Sequence, residues 1–324
     1  MEFITTRRNE ADKAAWLEKR KHYITGTDAG KIIGVSPWGG KFSVWLDKTG
    51  RGGEIVETEA MKWGKRNEGT ILKAYAEETD SKVEWMDGYD LRTNDSFPRI
   101  GASLDGWNHT LGIPVDAKNI RWKDEKWGDA YTSDFPEYYK AQLQVQMMVT
   151  GAKFAHLAVL FCGQEFVIYT MDYDEEMAGK ILAESDAFWP YVEGDEMPEA
   201  DGSEGATSFV KETLAVGKPD TEKAATDEIM EAVRNLVNAK KAKKAAEEEE
   251  AKWGNVVKVF LGDSTVIPGV CTWKNNKDSV STDWESVAKE AMQGMPAEQK
   301  AELLRKATVI KPGNRTLRIT MKGF

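Results

Sequence analysis

The sequence is poor in residues that build covalent or transition-metal frameworks. Its 324 residues include two cysteines, Cys162 and Cys271, and three histidines, His22, His109 and His156. The cysteines lie far apart inside apolar, strand-like runs, which argues against a disulfide scaffold and fits a reducing compartment. The histidines are scattered, and with so few thiols a zinc enzyme is not expected. No run of eighteen apolar residues occurs, and the start, MEFITTRRNEADKAAW, lacks the apolar stretch of a signal peptide. A soluble, intracellular protein without a membrane segment is expected. Basic residues are in the minority, 44 Lys and Arg against 54 Asp and Glu, for a formal net charge of −10. That disfavours nucleic-acid binding over a broad surface but leaves room for one basic groove.

What is present is enough for one sizeable core and an accessory domain, with 41% of residues hydrophobic and 30% charged. Residues 10–20 read as an amphipathic helix with Ala14, Trp16 and Leu17 inward. Thr25 or Thr27 caps a second helix, and FSVWLDK forms a third, stopped at Gly50. Residues 51–59 read as a loop and 59–79 as a helix with Trp63, Ile71, Leu72 and Tyr75 on one face. Short strands follow at 82–87 and 89–93. Pro136 opens a long helix to Gly151, and 155–161 and 165–171 form a hairpin. Residues 174–191 form another helix. From Glu193 the chain turns acidic and rich in Gly, Pro and Ser, as a linker does. Beyond it lie a charged helix at 227–252, a β-hairpin at 256–274, helices at 282–292 and 297–306, and a final strand at 316–321.

The candidate chemistry centres on residues 100–119, IGASLDGWNHTLGIPVDAKN. Asp105 sits in a Ser-Leu-Asp-Gly turn. Asp116 and Lys118, two apart in a strand, project from the same face. Two carboxylates beside a lysine on one sheet edge suit Mg²⁺, a hard cation that takes oxygen ligands. Glu68 lies mid-helix between Gly64 and Gly69; each such glycine costs about 1 kcal/mol relative to alanine, so close approach of another backbone or of a ligand is the reason to look for. Tyr139, Gln142 and Gln146 share one face of a helix that otherwise reads as buried. Buried amides need partners, and a phosphate, a metal-bound water or Lys118 would supply one.

Taken in order, these motifs resemble the lambda-type, or YqaJ-type, phage exonucleases of the PD-(D/E)xK nuclease superfamily. The resemblance runs over about residues 10–192. It is carried by Trp16-x₃-Arg20 before Ile24-Thr25-Gly26-Thr27-Asp28-Ala29, by Leu46-x-Lys48-Thr49-Gly50, and by Met61-Lys62-Trp63-Gly64-x₃-Glu68. Ser103-Leu104-Asp105-Gly106 is similar to the family's S-P-D-G turn, Asp116-Ala117-Lys118 to its E-x-K strand, and Tyr139-x₂-Gln142-x-Gln144 to its Gln helix. Two departures stand out: Leu104 replaces the usual proline, and Asp116 is one methylene shorter than the usual Glu.

The resemblance implies an α/β fold of the PD-(D/E)xK type, with a central mixed sheet flanked by helices, and the chain beyond residue 192 reads as a smaller C-terminal α+β extension. Its division would be a nuclease domain at 1–192, a linker at 193–221, and a helix plus small domain at 222–324. It implies a 5′→3′ exonuclease that degrades one strand of double-stranded DNA by two-metal hydrolysis with Mg²⁺, for which Mn²⁺ can substitute. Such an enzyme leaves 3′ overhangs, works as a ring trimer or another small ring, and partners a single-strand annealing protein in phage recombination within the bacterial cytoplasm. By motif, Asp105, Asp116 and Glu68 would bind metal, and Lys118 would position or activate the attacking water. Gln142 and Tyr139 would order the site. Arg20, Thr27 and Ser103 would hold the 5′-phosphate, and Met61 would splay the duplex end. Read without the resemblance, Thr27 and Ser103 serve equally as cap and turn residues, and Met61 as a core residue. An endonuclease, or a DNA-binding protein on a degenerate nuclease fold, would share much of this pattern. A Cas4-like enzyme would need four cysteines.

Overall fold

The computed structural model describes residues 2–5, 9–52, 57–213, 221–275 and 281–308. The chain divides into two units, Met1–Leu214 and Ala215–Phe324. In the first unit the elements run β1 (Glu2–Thr5), α1 (Lys13–Arg20), α2 (Gly26–Ile32), α3 (Lys41–Lys48), α4 (Glu59–Glu78), β2 (Lys82–Trp85), β3 (Arg92–Asn94), β4 (Phe97–Ala102), β5 (Gly106–Asn108), β6 (Ile113–Ile120), α5 (Glu137–Thr150), β7 (Phe154–Phe161), β8 (Glu165–Asp172), α6 (Glu175–Glu193) and α7 (Glu204–Thr213).

Six strands form one sheet in the order β1-β2-β5-β6-β7-β8. Pairs β1–β2 and β6–β7 are parallel and the other three are antiparallel. The parallel β6–β7 pair requires a crossover, and α5 supplies it. This is the mixed sheet flanked by helices expected from the sequence. Strands β3 and β4 pair separately, with β4 leading into the turn before β5.

Helices cover the sheet as the period-two alternation of its strands dictates. Val115 and Ala117 of β6 and Ala158 of β7 pack with Ile71, Leu72, Tyr75 and Ala76 of α4. Leu157, Val159 and Phe161 of β7 pack instead with Tyr139, Leu143 and Met147 of α5. The residues between Val115 and Ile120 that do not face α4, Asp116 and Lys118, therefore emerge on the α5 side. A buried triad ties α4 to the sheet: Asn108 Nδ2 donates to Tyr75 Oη at 2.9 Å, and Tyr75 Oη meets His156 Nδ1 at 2.7 Å. Burial holds the His156 imidazole down to about 4 and pushes the Tyr75 phenol up to about 12.

Several local expectations change. Leu17 of α1 is exposed rather than inward; Trp16 and Arg20, one turn apart, form its inner edge. Trp63 is 50% exposed, so the apolar face of α4 begins at Ile71, and Arg66 lies over the Trp63 ring. The acidic stretch expected to be a linker contains α7, whose Phe209 packs on Phe42 and Trp45 of α3. Its composition is linker-like, but Ala206 and Phe209 give the helix an apolar face.

The second unit holds α8 (Asp227–Leu261), a two-stranded hairpin of β9 (Val266–Ile267) and β10 (Cys271–Thr272), α9 (Trp284–Ala291) and α10 (Ala297–Ala307). Thr226 caps α8 by accepting the Ile229 N–H. The helix continues through Val256–Leu261, where a strand is expected from the sequence. The expected strand at 316–321 and part of the 51–59 loop, residues 53–56, lie outside the described residues. Among the described residues no helix is long and apolar enough to cross a membrane.

Candidate active site

The turn after β4 places Asp105 beside β6, where its Oδ2 accepts the Ala117 N–H at 3.0 Å. Asp116, 1% exposed, is held on every side. Its Oδ1 accepts from Gln142 Nε2 at 2.7 Å and from Gln146 Nε2 at 2.8 Å, while its Oδ2 is ion-paired with Lys118. Lys118 Nζ also stands 3.8 Å from Asp105 Oδ2 and 5.6 Å from the centre of the Tyr139 ring. The two amides thus find their partner in a metal-site candidate. The sequence places Gln146 on the right helix face without giving it a role; its spacing four residues after Gln142 is the signal that could have supplied one. Gly26 of α2 allows this face of α5 to come close, since a Cβ there would lie 2.9 Å from Gln142 Cγ.

Glu68 reaches the same cleft from α4. Trp85 Nε1 of β2 donates to Glu68 Oε1 at 2.9 Å. The Trp85 ring fits only because Gly69 has no side chain: a Cβ would lie 2.7–2.8 Å from three ring atoms. Gly64 meets nothing within 4 Å and makes no such room.

Electrostatics set the protonation states. Burial, then the charges of Asp116 and Glu68, push the Asp105 carboxyl well above the usual range, against the pull of Lys118. Burial opposes the Lys118 charge, but Asp116 and Asp105 outweigh it and hold the ammonium above an ordinary lysine. Burial raises the Tyr139 phenol as well. Among the described residues no three acidic, His or Cys side chains are grouped to hold a metal as they stand. The physical reason is visible: the Lys118 ammonium occupies the space between the two aspartates. The available donors are oxygens, the kind a hard cation takes.

A cleft of about 260 Å³ is lined by Glu68, Asp105, Gln142 and Gln146 together with Arg20, Thr27 and Ser103. Lys13, Trp16, Lys65 and Tyr89 add to its walls. Arg20 stacks over Trp16, its Cζ 4.6 Å from the ring centre. Ser103 Oγ accepts from Trp16 Nε1 at 3.0 Å and donates to the Asp90 carbonyl, so it braces the turn as it stands. Thr27 is not the cap of α2; Thr25 is, and its backbone N–H and hydroxyl both donate to Asp28 Oδ2. Lys48 Nζ meets the same oxygen at 2.6 Å. Burial works against the Asp28 charge, but Lys48 and Arg20 hold its carboxyl far below the usual range. Met61 does not line the cleft; it is 41% exposed in the first turn of α4, neither core nor adjacent to the aspartates.

The first unit thus has a mixed sheet with Asp116 and Lys118 two apart on an inner strand, Asp105 in the turn before β5 and Glu68 on a flanking helix, the arrangement that the resemblance to PD-(D/E)xK nucleases implies. Residues 15–153 match the family model described as the YqaJ-like viral recombinase domain. Uncharacterized protein YqaJ of Bacillus subtilis (strain 168) is 28% identical over 222 residues, 65% of this chain; the match spans 66% of that relative's length. Among solved structures, an alkaline exonuclease (LHK-Exo) from Laribacter hongkongensis is similar at TM-score 0.45 and 18% identity, over 56% of this chain and 93% of that one. A phage related exonuclease from Haemophilus somnus 129PT is similar at TM-score 0.43 and 12% identity, over 55% and 99%.

Proposed function

We propose that the protein is an Mg²⁺-dependent 5′→3′ exonuclease that degrades one strand of double-stranded DNA from its end and leaves a 3′ single-stranded overhang. The observation that carries this reading is one cleft that Glu68, Asp105 and Arg20 line together, with Lys118 ion-paired to Asp116 and 3.8 Å from Asp105. A phosphate held at Arg20 would place the first phosphodiester of the same strand toward Asp105 and Asp116. Thr27 and Ser103 line the same cleft as Arg20, and Ser103 would take part only by giving up its bond to the Asp90 carbonyl. Met61, exposed on α4 near Trp63, would splay the duplex end.

The residues suit a divalent cation. Asp105 feels the charges of Asp116 and Glu68, and that repulsion raises its proton affinity. A bound cation would relieve that repulsion as a proton does. Mg²⁺, or Mn²⁺ in its place, supplies charge stabilisation at the attacking and leaving oxygens when bound, two ions dividing that work. Gln142 and Gln146 fix Asp116 through Oδ1, so Asp116 would help to hold a cation through Oδ2. Lys118, ion-paired with Asp116 and 5.6 Å from the centre of the Tyr139 ring, would orient the attacking water as a donor. As the resemblance implies, the enzyme would act as a ring trimer or another small ring, with a single-strand annealing protein, in phage-type recombination in the bacterial cytoplasm.

Blunt duplex labelled at the 5′ or the 3′ end separately tests this reading. With Mg²⁺, 5′ label should be released as mononucleotide first, and EDTA should stop it. Internal cuts before any end release would point to an endonuclease, and release of 3′ label first would rule out the polarity.

A further inference from the structure

We infer that Asp28 and Lys48 are a positioning pair, set behind the cleft, that aims the Arg20 guanidinium at a 5′-terminal phosphate. The inference rests on the exonuclease reading above. Side-chain exposure is 0% for Lys48 and 5% for Asp28, so neither reaches the cleft, and Nζ and Oδ2 are 2.6 Å apart. A buried ion pair gives up hydration that its attraction only partly returns, and apolar residues of the same volume often stabilise as well. Stability alone therefore gives weak grounds for this pair.

Apart from a 3.5 Å contact of Lys48 Nζ with Asp47 Oδ2, the pair's remaining bonds converge on Arg20 and supply a reason. Lys48 Nζ donates to the Arg20 carbonyl at 3.1 Å. Asp28 Oδ2 accepts the Thr25 hydroxyl at 2.6 Å and the Thr25 N–H at 3.0 Å. With its proton committed to Asp28, Thr25 Oγ1 turns its lone pairs outward and accepts from Arg20 Nη2 at 3.4 Å; Thr27 Oγ1 lies 3.5 Å from it. Arg20 is thus held at its backbone by one member of the pair and at its guanidinium, through Thr25, by the other. Trp16 closes the third side. The arrangement joins two motifs twenty residues apart in sequence, the Thr25–Asp28 turn and Lys48 at the end of α3. It leaves the guanidinium edge away from Thr25 for an anion in the cleft.

The test is the ratio of kcat/KM on 5′-phosphorylated over 5′-hydroxyl blunt duplex. The double variant Asp28→Asn with Lys48→Met removes both charges together. Thr25→Val removes only the hydroxyl relay and keeps the ion pair. Both should lower the ratio by about tenfold or more, through KM on the phosphorylated substrate, since misplacing a positioned group by an ångström costs up to about 10²-fold. Activity on the hydroxyl end should hold. If both substrates fall by one common factor, or the ratio stays at the wild-type value, the pair is merely structural and the inference is overturned while the exonuclease reading stands. If the double variant does not fold, Thr25→Val decides alone by the same criterion. If the wild-type protein digests duplex without preferring the phosphate, the end-recognition reading fails and takes this inference with it.

Discussion

At the residue scale the site is defined by a conflict of charges. Asp105 is destabilised as a carboxylate by burial and by Asp116 and Glu68, and only Lys118 and the Ala117 N–H offset this. A carboxyl whose folded pKa is raised contributes stability that is fully present below its unfolded value, about 3.9, and lost as pH rises through the folded value. Metal-free protein should therefore lose stability over that interval. Asp28 behaves oppositely, since its contribution is present above the unfolded value and lost only in acid. Asp105→Asn cannot ionise but keeps an oxygen for the Ala117 N–H. In EDTA at neutral pH this variant should melt above the wild type, by about 2–4 °C for each kcal/mol relieved in a unit of this size. Mg²⁺ should raise the melting temperature of the wild type and leave that of the variant nearly unchanged. A variant that melts lower than wild type in EDTA would show that Asp105 is not under strain. The aspartates and the lysine are legible in sequence because residues two apart in a strand share a face. The Lys118 bridge is not, because it depends on how the preceding turn docks on β6.

At the element scale α4 shows what periodicity can and cannot say. Its buried face at Ile71, Leu72 and Tyr75 is readable, and Glu68 stands out between two glycines. Those glycines look alike in sequence, yet only Gly69 touches anything, and its neighbour, Trp85, comes from β2. Gly69→Ala should force the Trp85 ring away, break its bond to Glu68 and cost about 1–3 kcal/mol by overpacking, with a drop in nuclease activity. Gly64→Ala should instead stabilise by about 0.5–1 kcal/mol, the usual gain in a helix interior. Urea unfolding of the two variants gives the comparison, and equal effects would contradict the assignment of Gly69 to the site. The amide face of α5 is legible for the same reason as the apolar face of α4. The inner edge of α1 at Trp16 and Arg20 is not, because a short helix over a polar cleft has no apolar stripe to follow. Helix α7 is hidden by its acidic, glycine-rich surroundings.

At the scale of the whole molecule the acidic total and the local groove are compatible. The net charge of −10 includes the acids gathered at the site, whereas Lys13, Arg20 and Lys65 stand along one cleft. The motif order from Trp16 to Gln146 maps onto one unit, whose parallel β6–β7 crossover brings the Gln helix over the Asp-Ala-Lys strand. That part of the architecture is legible because several motifs have to meet. The second unit is not, since a long charged helix and short amphipathic pieces specify no common core in sequence. The central claim, that Asp105 and Lys118 serve metal-dependent phosphodiester hydrolysis, is tested most directly by nucleotide release from 5′-phosphorylated blunt duplex. Wild type, Asp105→Ala and Lys118→Ala are compared with Mg²⁺ and with EDTA. The account predicts steady release by wild type in Mg²⁺ alone, and a fall of about 10²-fold or more in each variant, the scale seen when a group stabilising developing charge is removed. No release by the wild type, or variants as active as it is, would contradict it.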